Sequence, residues 1–156
     1  MKLYINQKIL TFTDKFYAYD ENLNKKWQIR EEIFSYGKKL RIFNNNNIEV
    51  AYIKQSVISF LPTYSIFINR KQIAKIVKEI SFLSPQYNII GPNWKINGDP
   101  FKHDYKIVEN GTRKASISKK WLTFGDCYEL DIENPDDEII ALAIVIIIDC
   151  VKAQTK

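Results

Sequence analysis

The side chains able to carry chemistry in this sequence are few and scattered. His103 is the single histidine, and the two cysteines are Cys127 and Cys150. A thiol nucleophile would need His103 as its base. Cys150 lies inside an aliphatic run, where a cysteine behaves as a small packed apolar group. His103 and Asp104 have the composition of an acid–base couple, but neighbours on a strand face opposite sides, so direct cooperation is not expected. The carboxylates Asp99, Asp104, Asp126, Glu129 and Asp131 could pair across strands. Turn chemistry and surface ion pairs explain them more simply, and Gly98-Asp99 and Gly125-Asp126 suit turns. HExxH, CxxC and a second histidine are missing, and neither GxxxxGK nor GxGxxG occurs. No metal and no cofactor is therefore expected, and the chain reads as a binding or regulatory module rather than an enzyme.

Binding chemistry is better represented. The formal charge is +5 and the sequence pI is near 9.1, a balance that favours anionic partners. The cations cluster only as pairs: Lys25-Lys26, Lys38-Lys39, Arg70-Lys71, Arg113-Lys114 and Lys119-Lys120. A nucleic-acid domain more often carries a dense basic stripe, so nucleic acid is the less favoured partner. Lys119-Lys120-Trp121 is the best candidate site, because two ammonium groups beside an indole suit an anionic headgroup at an interface. The plainer alternative packs Trp121 into the wall and leaves the lysines solvated. Lys38-Lys39 after Gly37 and Lys102-His103 are weaker versions of the same signal.

Two cysteines outside any CxxC point to a reducing compartment. Residues 1–14 alternate polar and apolar and contain no secretory apolar core. The expected location is cytoplasmic, with a peripheral place at a membrane as one variant.

These residues must be positioned by a repeated element. Ala51-x-Ile53, Ala74-x-Ile76 and Ala115-x-Ile117 are each followed, thirteen residues after the Ala, by a tyrosine: Tyr64, Tyr87 and Tyr128. A phenylalanine falls between each pair, at Phe60, Phe82 and Phe124. Trp27-x-Ile29 leading to Leu40, and Trp94-x-Ile96 leading to Ile107, keep the same frame. The starts at 27, 51, 74, 94 and 115 define a period of about 20 to 24 residues. After each closing residue the apolar positions alternate, as in Tyr64, Ile66 and Ile68, which is the signature of a half-buried strand. Each unit is thus two strands. Five units plus an N-terminal pair (Leu3 to Ile9 and Phe16 to Asp20) predict about twelve strands over residues 2–133. Short connections such as Asn110-Gly111 make the arrangement an antiparallel meander.

Asn134-Pro135-Asp136-Asp137-Glu138 then opens a helix, with a cap, a first-turn proline and three acids at the positive end of the dipole. Ile139 to Ile148 is an unbroken apolar run on a helix predicted over 135–153. A helix apolar on every face must be surrounded by apolar groups. The run falls short of the roughly 20 residues that a bilayer span needs, and Asp149 interrupts it, so no transmembrane span is expected. An eight-stranded barrel is filled by its own side chains, whereas a wider one has room for a helix. The fold class that follows is mainly β with one helix: a closed antiparallel barrel of about twelve strands around a central hydrophobic C-terminal helix, in one domain over 1–156. Asp149 is expected at the barrel mouth near water. The alternative is burial with a Lys, Tyr or backbone N–H partner.

Several segments resemble the LURP-one-related proteins, including their small bacterial members. They are Ala51-Tyr52-Ile53-Lys54-Gln55, Ser59 to Tyr64, Gly98-Asp99 with His103-Asp104-Tyr105, Ile117 to Trp121, and Gly125-Asp126 through Tyr128 to Ile132. The acidic start of the final helix agrees as well. The resemblance implies a tubby-like fold, a barrel threaded by its C-terminal helix. Related branches of that superfamily include phosphoinositide-binding tubby domains and phospholipid scramblases. It carries no lipid-binding residue onto this sequence. The functional expectation is a module for an anionic ligand such as a phospholipid headgroup. A protein–protein scaffold is the alternative, and nucleic-acid binding and a barrel-mouth enzyme rank below both.

Overall fold

The computed structural model describes residues 1–6, 14–123 and 125–155. Within them the alternating segments form twelve strands: β1 (Lys2–Asn6), β2 (Lys15–Tyr19), β3 (Lys25–Glu31), β4 (Lys39–Phe43), β5 (Glu49–Gln55), β6 (Thr63–Ile68), β7 (Lys71–Lys78), β8 (Tyr87–Ile90), β9 (Trp94–Asp99), β10 (Asp104–Glu109), β11 (Thr112–Leu122) and β12 (Gly125–Ile132). The expected first strand ran to Ile9, and its residues 7–9 lie outside the described residues, as does Phe124.

Each strand pairs antiparallel with its neighbours in sequence, and β1 pairs with β12 from Lys2↔Asp131 to Asn6↔Cys127 to close the barrel. The sequence repeat is the hairpin. Trp27, Ala51, Ala74, Trp94 and Ala115 stand on odd-numbered strands, and Leu40, Tyr64, Tyr87, Ile107 and Tyr128 on the even strands that follow. Asn110 (φ 47°) and Gly111 (φ 79°) both adopt positive φ, the pair of left-handed residues that a tight hairpin matched to strand twist requires.

Inward positions such as Leu3, Leu40, Ile53, Ile66, Ile107 and Leu130 are fully buried. They surround α1 (Glu138–Gln154), in which Ala141 to Val151 are buried without a break, while Ile139 and Ile140 at its start are half-buried. The aliphatic run is therefore shielded by the chain's own sheet. Asn134 does cap, but it caps a 3-10 turn over Pro135–Asp137, accepting from the Asp136 N–H at 3.1 Å, and the α-helix proper begins at Glu138. The helix acids also find cations on the wall. Glu138 accepts from Trp27 Nε1 at 2.7 Å and pairs with Lys26 at 2.8 Å, and Asp137 pairs with Lys114 at 2.9 Å. Among the described residues no helix is long and apolar enough to cross a membrane.

The meander gives the barrel two unlike ends. One end holds the short turns 20–24, 44–48, 69–70, 91–93 and 110–111, and receives the start of α1. The other holds the longer connections 32–38, 56–62 and 79–86, the turn 100–103, and the C-terminal end of α1.

Candidate functional site

The long-loop end carries most of the exposed large apolar side chains among the described residues. Among the described residues fourteen large hydrophobic side chains are exposed. Ten belong to this end; the other four, Met1, Leu23, Ile48 and Ile90, belong to the short-turn end and are less exposed. Phe34 is 100% exposed, Phe60 95% and Phe82 99%, and Leu83 has full solvent contact. Tyr36, Ile58 and Trp121 accompany them. Exposed leucines and isoleucines singly are ordinary, but ten exposed large hydrophobic side chains at one pole make this end the candidate for an interaction surface.

The candidate residues divide unequally over this rim. Trp121 is 77% exposed, so it is not packed into the wall. Lys119 and Lys120 are also exposed, near the end of β11. Pleating sends them to opposite faces: Lys120 approaches Glu129 at 3.9 Å, while Lys119 shares the face of Trp121. They do not form one clamp. Lys38 and Lys39 lie on the far side of the rim. Lys38 is ion-paired with Glu31, and Lys39 reaches Glu32 at 4.0 Å. Lys102 is exposed beside Asp99 at 3.3 Å.

His103 departs from its expected place. It is 1% exposed, whereas Lys102 before it points to solvent, so the two do not share a surface site. The cause is local geometry. Asp99 caps a 3-10 turn over Pro100–Lys102, accepting from the N–H groups of Phe101 and Lys102 at 3.1 and 3.2 Å, and His103 ends the turn in the left-handed region (φ 55°). That conformation swings the imidazole inward. Gly98 permits the tight approach of β9 to β10: a Cβ there would stand 2.5 Å from the Asp104 carbonyl oxygen.

Inside, His103 Nε2 and Asp149 Oδ1 share a hydrogen bond of 2.6 Å, and the imidazole stacks on Tyr128 with centroids 3.9 Å apart. Asp149 is therefore buried, not at the mouth near water, and its partner is a histidine rather than the Lys, Tyr or N–H considered from sequence. The turn at 100–103 covers this part of the helix, and Lys152 ties it down by donating to the Phe101 carbonyl at 2.7 Å. The thiols are quiet: both are buried, and burial pushes Cys150 up to about 12, so it keeps its proton at neutral pH.

Burial raises the Asp149 carboxyl, and the His103 hydrogen bond offsets this only in part. The folded protein thus holds that proton more tightly than the unfolded chain, in which an aspartate titrates near about 3.9. The stability this group contributes is complete below the unfolded value and is lost as pH rises through the folded one. Asp149→Asn keeps an acceptor for His103 and has no charge to bury. It is expected to raise the melting temperature at neutral pH and to flatten the decline in stability above the ordinary aspartate range. Melting curves across pH check this, and a variant with the wild-type pH profile would refute it. His103→Ala, which leaves Asp149 without its partner, is expected to cost about 1–3 kcal/mol.

The rim residues Phe34, Tyr36, Ile58, Phe60, Phe82 and Leu83 were not singled out as a site from sequence. A signal existed: Ile58-Ser59-Phe60-Leu61-Pro62 and Ile80-Ser81-Phe82-Leu83-Ser84-Pro85 are near-copies, apolar yet non-alternating, and closed by proline.

The barrel with a threaded helix can be set beside known proteins. The model of the LURP-one-related family matches residues 1–149. The chain belongs to the LURP-one-related family. Its relatives include YxjI, an uncharacterized protein of Bacillus subtilis (strain 168), 32% identical over 151 residues that cover 97% of this chain and 93% of the relative. The crystal structure of the Arabidopsis thaliana protein AT5G01750 has the same fold, with a TM-score of 0.65 at 15% identity, covering 96% of this chain and 90% of the plant one. Membership of the LURP-one-related family supports a binding or regulatory module in general.

Proposed function

We propose that this LURP-one-related chain is a non-enzymatic module that docks on an anionic membrane surface through its long-loop end. The single observation carrying the reading is the pole-to-pole asymmetry of exposed apolar side chains. Aromatic and aliphatic side chains on several separate loops are exposed at this rim. Such a rim suits an interface that yields around it, because each tip can bury independently among headgroups and upper acyl chains. Phe, Tyr and Trp beside lysines are also the composition favoured where apolar and aqueous phases meet. Lys119, Lys120 and Lys102 stand on one side of this end and supply attraction to anionic lipid.

Co-sedimentation with vesicles tests the proposal. Binding is expected to vesicles containing phosphatidylserine, to be weaker to phosphatidylcholine alone, and to be only partly reversed by high salt. Salt screens the lysines but not the buried apolar tips. Absence of binding to both vesicle types at low salt would refute it. Salt-resistant recovery of one protein partner in that case would favour the scaffold alternative.

A further inference from the structure

The β4–β5 register sets Lys39 directly opposite Lys54, β5–β6 sets Lys54 opposite Ser65, and β6–β7 sets Ser65 opposite Lys75. Leu40, Ile53, Ile66 and Ala74 beside them point into the core, so all four side chains stand on the outer face. Neighbouring strands are about 4.8 Å apart. Lys39 and Lys54 are therefore close, and Lys75 follows two strands away across the serine.

Like charges directly opposite in a sheet repel. A second such pair, Arg30↔Arg41, occurs on β3–β4, and there the protein supplies its own relief. Arg41 bonds Glu32 and Glu49 at 3.0 Å each, and Arg30 stacks over Phe43 at 4.0 Å and bonds Gln28 and Asn47. The lysine strip has no equivalent. Among the described residues Lys39 has only Glu32 at 4.0 Å, a carboxylate already held by Arg41. Among the described residues Lys54 and Lys75 have no acidic partner. Above Lys39 and Lys54 a cleft of about 350 Å³ runs toward the rim, walled by Tyr36, Val57 and Ile58.

We infer that this strip is a phosphate site for an anionic phospholipid, with Lys39, Lys54 and Lys75 pairing the phosphate oxygens, Ser65 donating between them, and the apolar cleft taking the glycerol and upper acyl region. Ammonium groups bound to phosphate make the stronger, charge-assisted kind of hydrogen bond, and the repulsion within the strip is relieved when the anion binds. The site rests on the docking reading for its setting: it lies one step below the apolar rim, at the depth where headgroup phosphates would stand.

Dihexanoyl phosphatidic acid below its micellar concentration, inorganic phosphate, and vesicles with and without phosphatidic acid distinguish the sources of the phosphate. Amide chemical shifts read the soluble ligands. The short-chain lipid is expected to move the signals of residues 54–58 and Lys39, and inorganic phosphate to act on the same lysines more weakly. Lys54→Gln is expected to weaken short-chain lipid binding about tenfold, with Lys54→Arg retaining it. On vesicles, Lys54→Gln with Lys75→Gln is expected to remove the preference for phosphatidic acid. Unaltered preference in that variant overturns the site while docking stands. Failure of all vesicle binding, with the short-chain lipid still moving these signals, overturns docking while the site stands. No localised shift with the short-chain lipid, or inorganic phosphate binding as tightly as the lipid, overturns the assignment.

Discussion

Ile144→Asp is expected to yield no folded protein. Ile144 is fully buried in the middle of α1, inside the closed wall. The substitution removes an aliphatic side chain whose burial contributes about 1.5–3 kcal/mol, and it places a carboxylate where transfer from water costs several kcal/mol more. A domain's whole stability is about 5–15 kcal/mol. Asp149, five residues on, shows what toleration requires: a histidine 2.6 Å away, delivered by a capped turn. Ile144 belongs instead to the apolar core that the helix shares with the wall. Far-UV circular dichroism and soluble yield give the readout, with Ile144→Val as the control expected to fold at a cost of about 0.5–1.5 kcal/mol. A soluble aspartate variant melting cooperatively near the wild-type temperature would show that the helix does not need its barrel.

Phe60→Ser combined with Phe82→Ser is the complementary case, silent in the fold and large at the membrane. Both rings stand almost wholly in solvent, so their loss removes little packing, and the melting temperature is expected to stay within a few degrees. If each ring buries on docking, the pair contributes roughly 3–6 kcal/mol, about two to four orders of magnitude in partitioning onto vesicles. Titration with anionic vesicles measures it. Wild-type affinity in the double variant would remove the apolar rim from the docking mechanism. A collapse of stability instead would mean that the loops pack in solution.

These two substitutions also separate what could be read along the chain from what could not. The hairpin repeat was legible because strand geometry imposes a period of two on burial, so Tyr64-x-Ile66-x-Ile68 announces its own conformation. The identity of the inner helix was legible for a related reason. An aliphatic run opened by Asn134-Pro135 and too short for a bilayer has one remaining solvent, a wide sheet of the same chain. Together these local patterns determined both the barrel and its occupant.

Side-chain partners across the barrel were decided only by tertiary structure. Asp149 and His103 are 46 residues apart, and their meeting depends on a left-handed residue that ends one short turn. Lys39, Lys54, Ser65 and Lys75 fall in line only through three successive registers, two of them interrupted by bulges that no single strand reveals. Lys119 and Lys120 looked like one site along the chain and were parted by the pleat. Local sequence sets the conformation of each segment, because backbone sterics and burial act over a few residues. Which side chains meet is set by how the segments align, a long-range sum of packing choices to which every strand contributes.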